Sequence, residues 1–232
     1  MKWRVIINGD RVDLKLLAES FTKPEYLIRD EGDNYTLSSS EFESINDPGK
    51  IGDHAKTLIE RINGALILAL GSNIPVSSGG VYELGANGNR LIYTSEHIQA
   101  HCRAFATGSV VHADGSVEEM RPADPIRQWS DLASRDKAVG NVLSLLGTKP
   151  ADWVNLYRLY EIVEKDSGGI ERRGWATGST IRNFKHTANH PDATGLDSRH
   201  GRMPGDPPKK PMLLCEAKAL IHSIIQAWLR EK

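Results

Sequence analysis

Apolar and polar residues alternate over residues 3–7, placing Trp3, Val5 and Ile7 on one face. The run ends at Asn8-Gly9, a dipeptide that tolerates the positive φ of a tight turn. A hairpin is therefore expected to open the fold, with residues 12–16 as its return strand or as the start of a short helix. Residues 26–29 and 35–37 flank the polar cluster Glu31-Gly32-Asp33-Asn34 and predict a second antiparallel pair. Two further hairpins are expected from residues 81–84 with 90–94, and from residues 104–112 followed by Asp114-Gly115 and Val117. Between these strands the period changes. Ala55, Leu58, Ile59, Ile62, Leu66 and Ala69 recur at three and four, which predicts a helix over 53–70 with Asp53 as N-cap and Gly71 as its stop.

Past residue 122 the alternation disappears. Pro122 and Pro125 bracket Asp124, an N-cap ahead of a first-turn proline. One long helix is then predicted over 126–146, stopped by Gly147. Asp152 caps a second over 153–165, whose stripe is Trp153, Leu156, Tyr157, Tyr160 and Val163. Ser179 can cap a short helix to Ala188, and a last helix after Pro211 carries Leu214, Ala217, Ile221, Ile224, Ile225 and Trp228. The expected class is α+β: an antiparallel, hairpin-rich sheet with one covering helix in residues 1–122, then a helical bundle in residues 123–232. No internal repeat is present. Trp153 and Trp228 fit either a monomer core or the face of a homodimer.

Composition adds little to this. A net charge of −1 excludes neither a nucleic-acid nor a small-molecule partner. Cys102 and Cys215 form no CxxC pair and read as buried thiols of a reducing, cytoplasmic setting. The longest apolar run, residues 65–70, is far short of the ~20 residues that span a bilayer, so no membrane is expected. Gly85-Ala86-Asn87-Gly88-Asn89 and Gly71-Ser72-Asn73 match no dinucleotide or P-loop fingerprint, and no cofactor is expected. Ser77-Ser78-Gly79-Gly80 could cradle an anion through its backbone amides.

The informative stretch is residues 182–211, long and irregular between two periodic segments, which is where function tends to sit. It holds three of the eight histidines, His186, His190 and His200. Across residues 170–210 eight Lys/Arg face four acids, a local excess of four positive charges. Arg172, Arg173, Lys185, Arg202, Lys209 and Lys210 could therefore meet phosphates, with Trp175 and Phe184 available to stack on bases. The opposite reading is a solvated loop whose charges keep it soluble. His186 and His190 lie four apart, but the only nearby carboxylates are Asp192 and Asp197 and no His-Glu-x-x-His motif is present, so no metal site is assigned.

Arg199-His200-Gly201, placed before a terminal amphipathic helix, resembles the way helical HEPN ribonucleases and their inactive relatives present an Arg and a His between their last helices. That family separates the two by four to six residues. Here Arg182 and His186 have three between them, and Arg199 and His200 none. The resemblance implies His200, Arg199, His186 and Arg182 as catalytic candidates, a His acting as base or acid and an Arg stabilising a phosphorane. The stretch from Trp153 through Phe184 and Arg199-His200-Gly201 to Glu216-Ala217 also resembles a group of uncharacterised bacterial proteins. Three functions are expected to compete. The first is a non-catalytic binding or regulatory module for a protein or nucleic-acid partner. The second is a HEPN-like RNA-binding or RNA-cleaving protein of bacterial stress or phage defence. The third is a small-molecule enzyme with a site between the two halves.

Overall fold

The computed structural model describes residues 1–72, 74–85, 90–94, 109–111, 117–119 and 124–232. The turn at residues 86–89, the residues around Cys102 and the proline boundary at 121–123 lie outside them. The protein is α+β, and its chain divides into two compact units, Met1–Arg135 and Asp136–Lys232.

Strand β1 (Trp3–Asn8) buries Trp3, Val5 and Ile7 as its alternation predicts, but it does not turn into a hairpin. The Asp10 carboxylate accepts from the N–H groups of Val12 and Asp13, at 2.9 and 3.2 Å, and caps helix α1 (Arg11–Ser20). A side-chain acceptor at that position satisfies donors that a helix start would otherwise leave open, and this overrides the turn propensity of Asn8-Gly9. Strands β2 (Thr22–Lys23), β3 (Tyr26–Asp30) and β4 (Tyr35–Ser38) follow, with β3 and β4 forming the expected antiparallel pair. A 3-10 turn (Ser40–Ser44) then leads to helix α2 (Pro48–Leu70).

Helix α2 starts earlier than Asp53. Asp47 caps it through Gly49 N–H at 2.8 Å, and Pro48 occupies the first turn, where its missing N–H costs nothing. The predicted stop at Gly71 holds, in the left-handed conformation at φ 61°. The stripe Ile51, Ala55, Leu58, Ile59, Ile62 and Leu66 is buried. The side-chain amide of Asn63 both donates to Val76 O and accepts from Val76 N–H, each at 2.8 Å, and so aligns the chain entering β5 (Ser77–Leu84).

Strand β5 pairs with β1 and with β6 (Arg90–Thr94), completing a six-stranded antiparallel sheet in the order β2-β3-β4-β1-β5-β6. The Ser77-Ser78-Gly79-Gly80 segment is no anion cradle, because it forms the irregular start of β5, where the register with β1 shifts between Ile6 and Ile7. A Cβ on Gly79 would stand 2.6 Å from Asn8 Nδ2 and 3.1 Å from Ile6 Cγ2, so a larger residue there would have to displace both side chains. Strands β7 (Ser109–Val111) and β8 (Val117–Glu119) form a separate antiparallel pair.

The helix expected over 126–146 is two helices, α3 (Asp124–Arg135) and α4 (Lys137–Thr148). Asp136 stands between them in extended conformation and accepts from the N–H groups of Ala138 and Val139, at 2.9 and 3.1 Å. The apolar period runs straight through this position, but a short carboxylate side chain competes for backbone donors and ends one helix by starting another. Helix α3 packs with α2 in the first unit.

The second unit is helical: α4, α5 (Trp153–Ser167), α6 (Gly178–Asn189), the short α7 (Pro191–Thr194) and α8 (Leu214–Arg230). Asp152 caps α5 through Asn155 N–H at 2.8 Å, as the sequence predicts, whereas α6 is capped by Thr177 rather than Ser179. Trp153 and Trp228 both lie in the core. Cys215 is exposed, not buried, because it falls on the polar side of α8. Among the described residues no helix is long and apolar enough to cross a membrane.

Lys232 draws this unit together. Its ammonium lies 2.6 Å from Asp136 Oδ2 and 2.7 Å from Asp166 Oδ2, and it sits 5.1 Å from the centre of the Trp228 ring. Burial pushes the Asp136 carboxyl up, but the bonds from Lys232, Val139 and Ala138 outweigh it and hold the group below its usual range. Lys232 is the mirror case: burial pulls its ammonium down, and the two carboxylates more than offset this, leaving it raised. The Asp136 contribution is therefore present above the unfolded value near ~3.9 and is lost as pH falls through the lower folded value. The Lys232 contribution is present below its unfolded ~10.4 and is lost as pH rises through the higher folded value. Lys232→Met is expected to cost about 1 kcal/mol between roughly pH 5 and 10. Urea denaturation across pH should show the gap from the native chain closing at both ends, and a gap independent of pH would contradict the ion-pair origin.

Candidate functional site

Residues 182–211 are fastened within the second unit, and the reason is hydrogen-bond satisfaction. The last carbonyls of a helix have no partner within it. At the end of α6, Ala188 O accepts from Arg199 N–H at 2.9 Å, and Asn189 O lies 3.3 Å from the Ser198 hydroxyl. The loop thus caps the helix that precedes it. Contacts also run the other way. His186 Nε2 donates to Asp206 O at 3.1 Å and His190 Nε2 to Gly205 O at 3.0 Å, since a carbonyl can only accept. Thr187 Oγ1 accepts from Met212 N–H at 3.0 Å and fastens the far end of the loop.

His190 is buried and uses both ring nitrogens. Its Nδ1 accepts from Asp192 N–H at 3.2 Å and caps α7, so the proton is on Nε2. The ring of His186 stands 5.8 Å away in a T-shaped arrangement. Among the described residues no group of three or more His, Cys, Asp or Glu could hold a metal ion.

Arg199 is anchored on α5. Its guanidinium lies 4.2 Å from the centre of the Tyr157 ring, and Nη2 donates to Glu161 Oε1 at 3.0 Å. Nη1 is 3.4 Å from Nε2 of His200, an exposed side chain. Tyr157 belongs to an aromatic group with Tyr160, Phe184 and Trp153, in which Phe184 stacks on Tyr157 at 5.9 Å. Phe184 is buried there and cannot present a face to a base. Burial first, and then the charge of Glu164, push the Tyr160 hydroxyl up to about 12, so it carries its proton at neutral pH.

The expected basic residues separate into two sets. Arg173 Nη1 donates to Glu231 Oε2 and Trp175 Nε1 to Glu231 Oε1, both at 3.0 Å, and Arg173 Nε also donates to Ser167 O at 3.2 Å. These two staple the loop before α6 to the end of α8. Lys185 leans over the Tyr160 ring at 5.7 Å while its residue stays exposed. Arg172, Arg182, Arg202, Lys209 and Lys210 are exposed, and no salt bridge joins them to the described residues. Leu196, at the tip of the 3-10 turn Gly195–Asp197, is fully exposed.

Sequence reasoning missed Tyr157, which read there as part of the core stripe of α5, and Glu161, to which it gave no role. They hold Arg199, and Glu161 also lines an open groove of about 470 Å³ with Asn141, Ser144, Leu145, Thr148, Arg158 and Ile162. Charge is distributed unevenly between the units: Met1–Arg135 carries fourteen Lys/Arg against nineteen Asp/Glu, and Asp136–Lys232 fifteen against eleven. The positive excess therefore extends to the whole helical unit. Compared with family models, with curated proteins and with solved structures, the chain gives no match.

Proposed function

We propose that the chain is a non-catalytic binding module whose helical unit meets an anionic partner, nucleic acid first, through Arg172, Arg182, Lys185, Arg202, Lys209 and Lys210. The observation that carries this reading is the use to which the would-be catalytic set is put. Of its four members, Arg199 has its charge paired with Glu161 and its guanidinium over the Tyr157 ring, and His186 spends a ring nitrogen on a loop carbonyl, while Arg182 and His200 stay exposed. A phosphorane-stabilising cation and a proton-transferring base both need free valence toward a substrate. The exposed cations have that freedom, and their contribution is electrostatic; Phe184 is buried and adds no stacking face.

The one contact that favours the HEPN-like alternative is Arg199 Nη1 to His200 Nε2, at 3.4 Å on an exposed surface. Fluorescence anisotropy with labelled single-stranded RNA and DNA at 50 and 200 mM salt, followed by electrophoresis of the same samples, tests both. Binding is expected to fall with salt by roughly 0.7 log units per phosphate contact per log unit of salt. Reversing Lys185, Arg202, Lys209 and Lys210 to Glu should weaken it by about tenfold or more and flatten that slope. Cleavage that disappears in Arg199→Ala/His200→Ala would overturn the non-catalytic reading. No binding at 50 mM salt would remove nucleic acid as the partner and leave an acidic protein surface.

A further inference from the structure

The open groove of about 470 Å³ between α4 and α5 lies wholly within the helical unit. Residues 149–152 join the two helices, a link short enough to make them antiparallel neighbours. Each helix turns one face to the groove, with residues recurring at three and four: Asn141, Ser144 and Leu145 on α4, and Arg158, Glu161 and Ile162 on α5. Both walls therefore have the same make-up, a half-buried aliphatic side chain beside polar ones. The volume falls within the roughly 300–1,000 Å³ of small-molecule sites.

The two charges lining the groove are opposite and stand about one helical turn apart, yet they pair elsewhere. Arg158 Nη1 donates to Asn155 Oδ1 at 3.2 Å, one turn back, and Glu161 Oε1 accepts from Arg199 Nη2 at 3.0 Å. An arginine that precedes the acid is the less favourable order for a pair along a helix, because each charge then opposes the helix dipole. Both side chains are exposed and keep bonding capacity, Arg158 in its other guanidinium N–H groups and Glu161 in its second oxygen. Asn141 and Ser144 add an amide and a hydroxyl, each able to donate and to accept. A simple anion in this groove would meet Glu161 with like charge, and a simple cation would meet Arg158 in the same way. A ligand with a negative and a positive group close together and an apolar body answers both charges and both aliphatic side chains. That is the outline of an amino-acid zwitterion.

We propose that the groove between α4 and α5 binds a free α-amino acid with an apolar side chain: its carboxylate on Arg158, its ammonium on Glu161 and its side chain against Leu145 and Ile162. A guanidinium matches a carboxylate with two parallel N–H donors, and the three donors of an ammonium can be divided between Glu161 and the neutral groups of α4. Because Glu161 also holds Arg199, the ligand shares that carboxylate with the anchor of the loop. The site uses none of the cations named for an anionic partner, and the inference does not rest on that function.

Methyl and side-chain amide resonances of the isotope-labelled full chain, followed by NMR, read the groove directly. Titration with leucine should move the Leu145 and Ile162 methyl signals and the Asn141 side-chain amide saturably. N-acetyl-leucine lacks the ammonium, leucinamide the carboxylate and glycine the side chain, so each should show a midpoint about tenfold higher. Arg158 and Glu161 are exposed, so Arg158→Gln and Glu161→Gln should keep the fold. Arg158→Gln should raise the leucine midpoint about tenfold and leave that of leucinamide unchanged. Glu161→Gln should raise it as much and leave that of N-acetyl-leucine unchanged. A merely structural role would move every ligand alike, and that result overturns the assignment. So does the absence of saturable movement with leucine, or equal midpoints for leucine and its three analogues. If the same signals move with single-stranded RNA and not with leucine, the groove belongs to a nucleic-acid surface and the proposal falls.

Discussion

Trp228→Ala is expected to destabilise the helical unit by about 3–5 kcal/mol, the range for removing a large buried aromatic side chain. Trp228 is 2 % exposed on the inner face of α8, and its indole Nε1 donates to Asp166 Oδ2 at 2.9 Å. The substitution therefore removes three things together: the apolar volume between α5 and α8, the hydrogen bond to the end of α5, and the ring beneath the Lys232 ammonium. Trp228→Phe separates them. It keeps most of the apolar contact and loses the N–H, but Asp166 retains Lys232 at 2.7 Å, so the cost should drop to about 1–2 kcal/mol. Urea unfolding followed by circular dichroism, with the transition of the helical unit resolved from that of the sheet unit, measures both. A loss below 1 kcal/mol in Trp228→Ala would mean that α8 is not part of the core of this unit.

The stripe that places Trp228 inside was legible because long amphipathic helices carry redundant information. Helices α2, α5 and α8 each repeat their apolar face over several turns, and Gly71 and Asp152 mark ends that the structure confirms. Single polar residues decided the places where the pattern misled. Asp10 diverts the chain from a hairpin into α1, and Asp136 cuts one apolar period into two helices. In both cases a local cap, worth about 1 kcal/mol, competes with a pattern that specifies no boundary. The basic loop was legible as irregular sequence between periodic segments. Its geometry was not, because Arg199 is held by Tyr157 and Glu161 some forty residues earlier.

His190→Ala should release that loop while leaving its charge intact. The ring is 1 % exposed, donates to Gly205 O and accepts from Asp192 N–H, so its loss opens a cavity and leaves a carbonyl and an amide unpaired. The combined cost is about 2–4 kcal/mol, concentrated on the contacts that fasten residues 195–211 to α6. Local opening of that size should raise amide exchange at Arg199, whose N–H is held by Ala188 O, by about 30-fold or more. Trypsin cleavage after Arg202 and after Lys209 should accelerate in parallel. His190→Gln, which keeps a donor able to reach Gly205 O, should recover part of the protection. The same variant tests how the proposed binding depends on order. Arg182 and Lys185 stand on α6 and stay in place, whereas Arg202, Lys209 and Lys210 move with the loop. If a preorganised array of cations carries the affinity, His190→Ala should weaken nucleic-acid binding several-fold with the salt dependence retained, because the charges remain but must be ordered on binding. Unchanged affinity with increased proteolysis would show that charge alone suffices and that the histidine latch serves the fold of the helical unit.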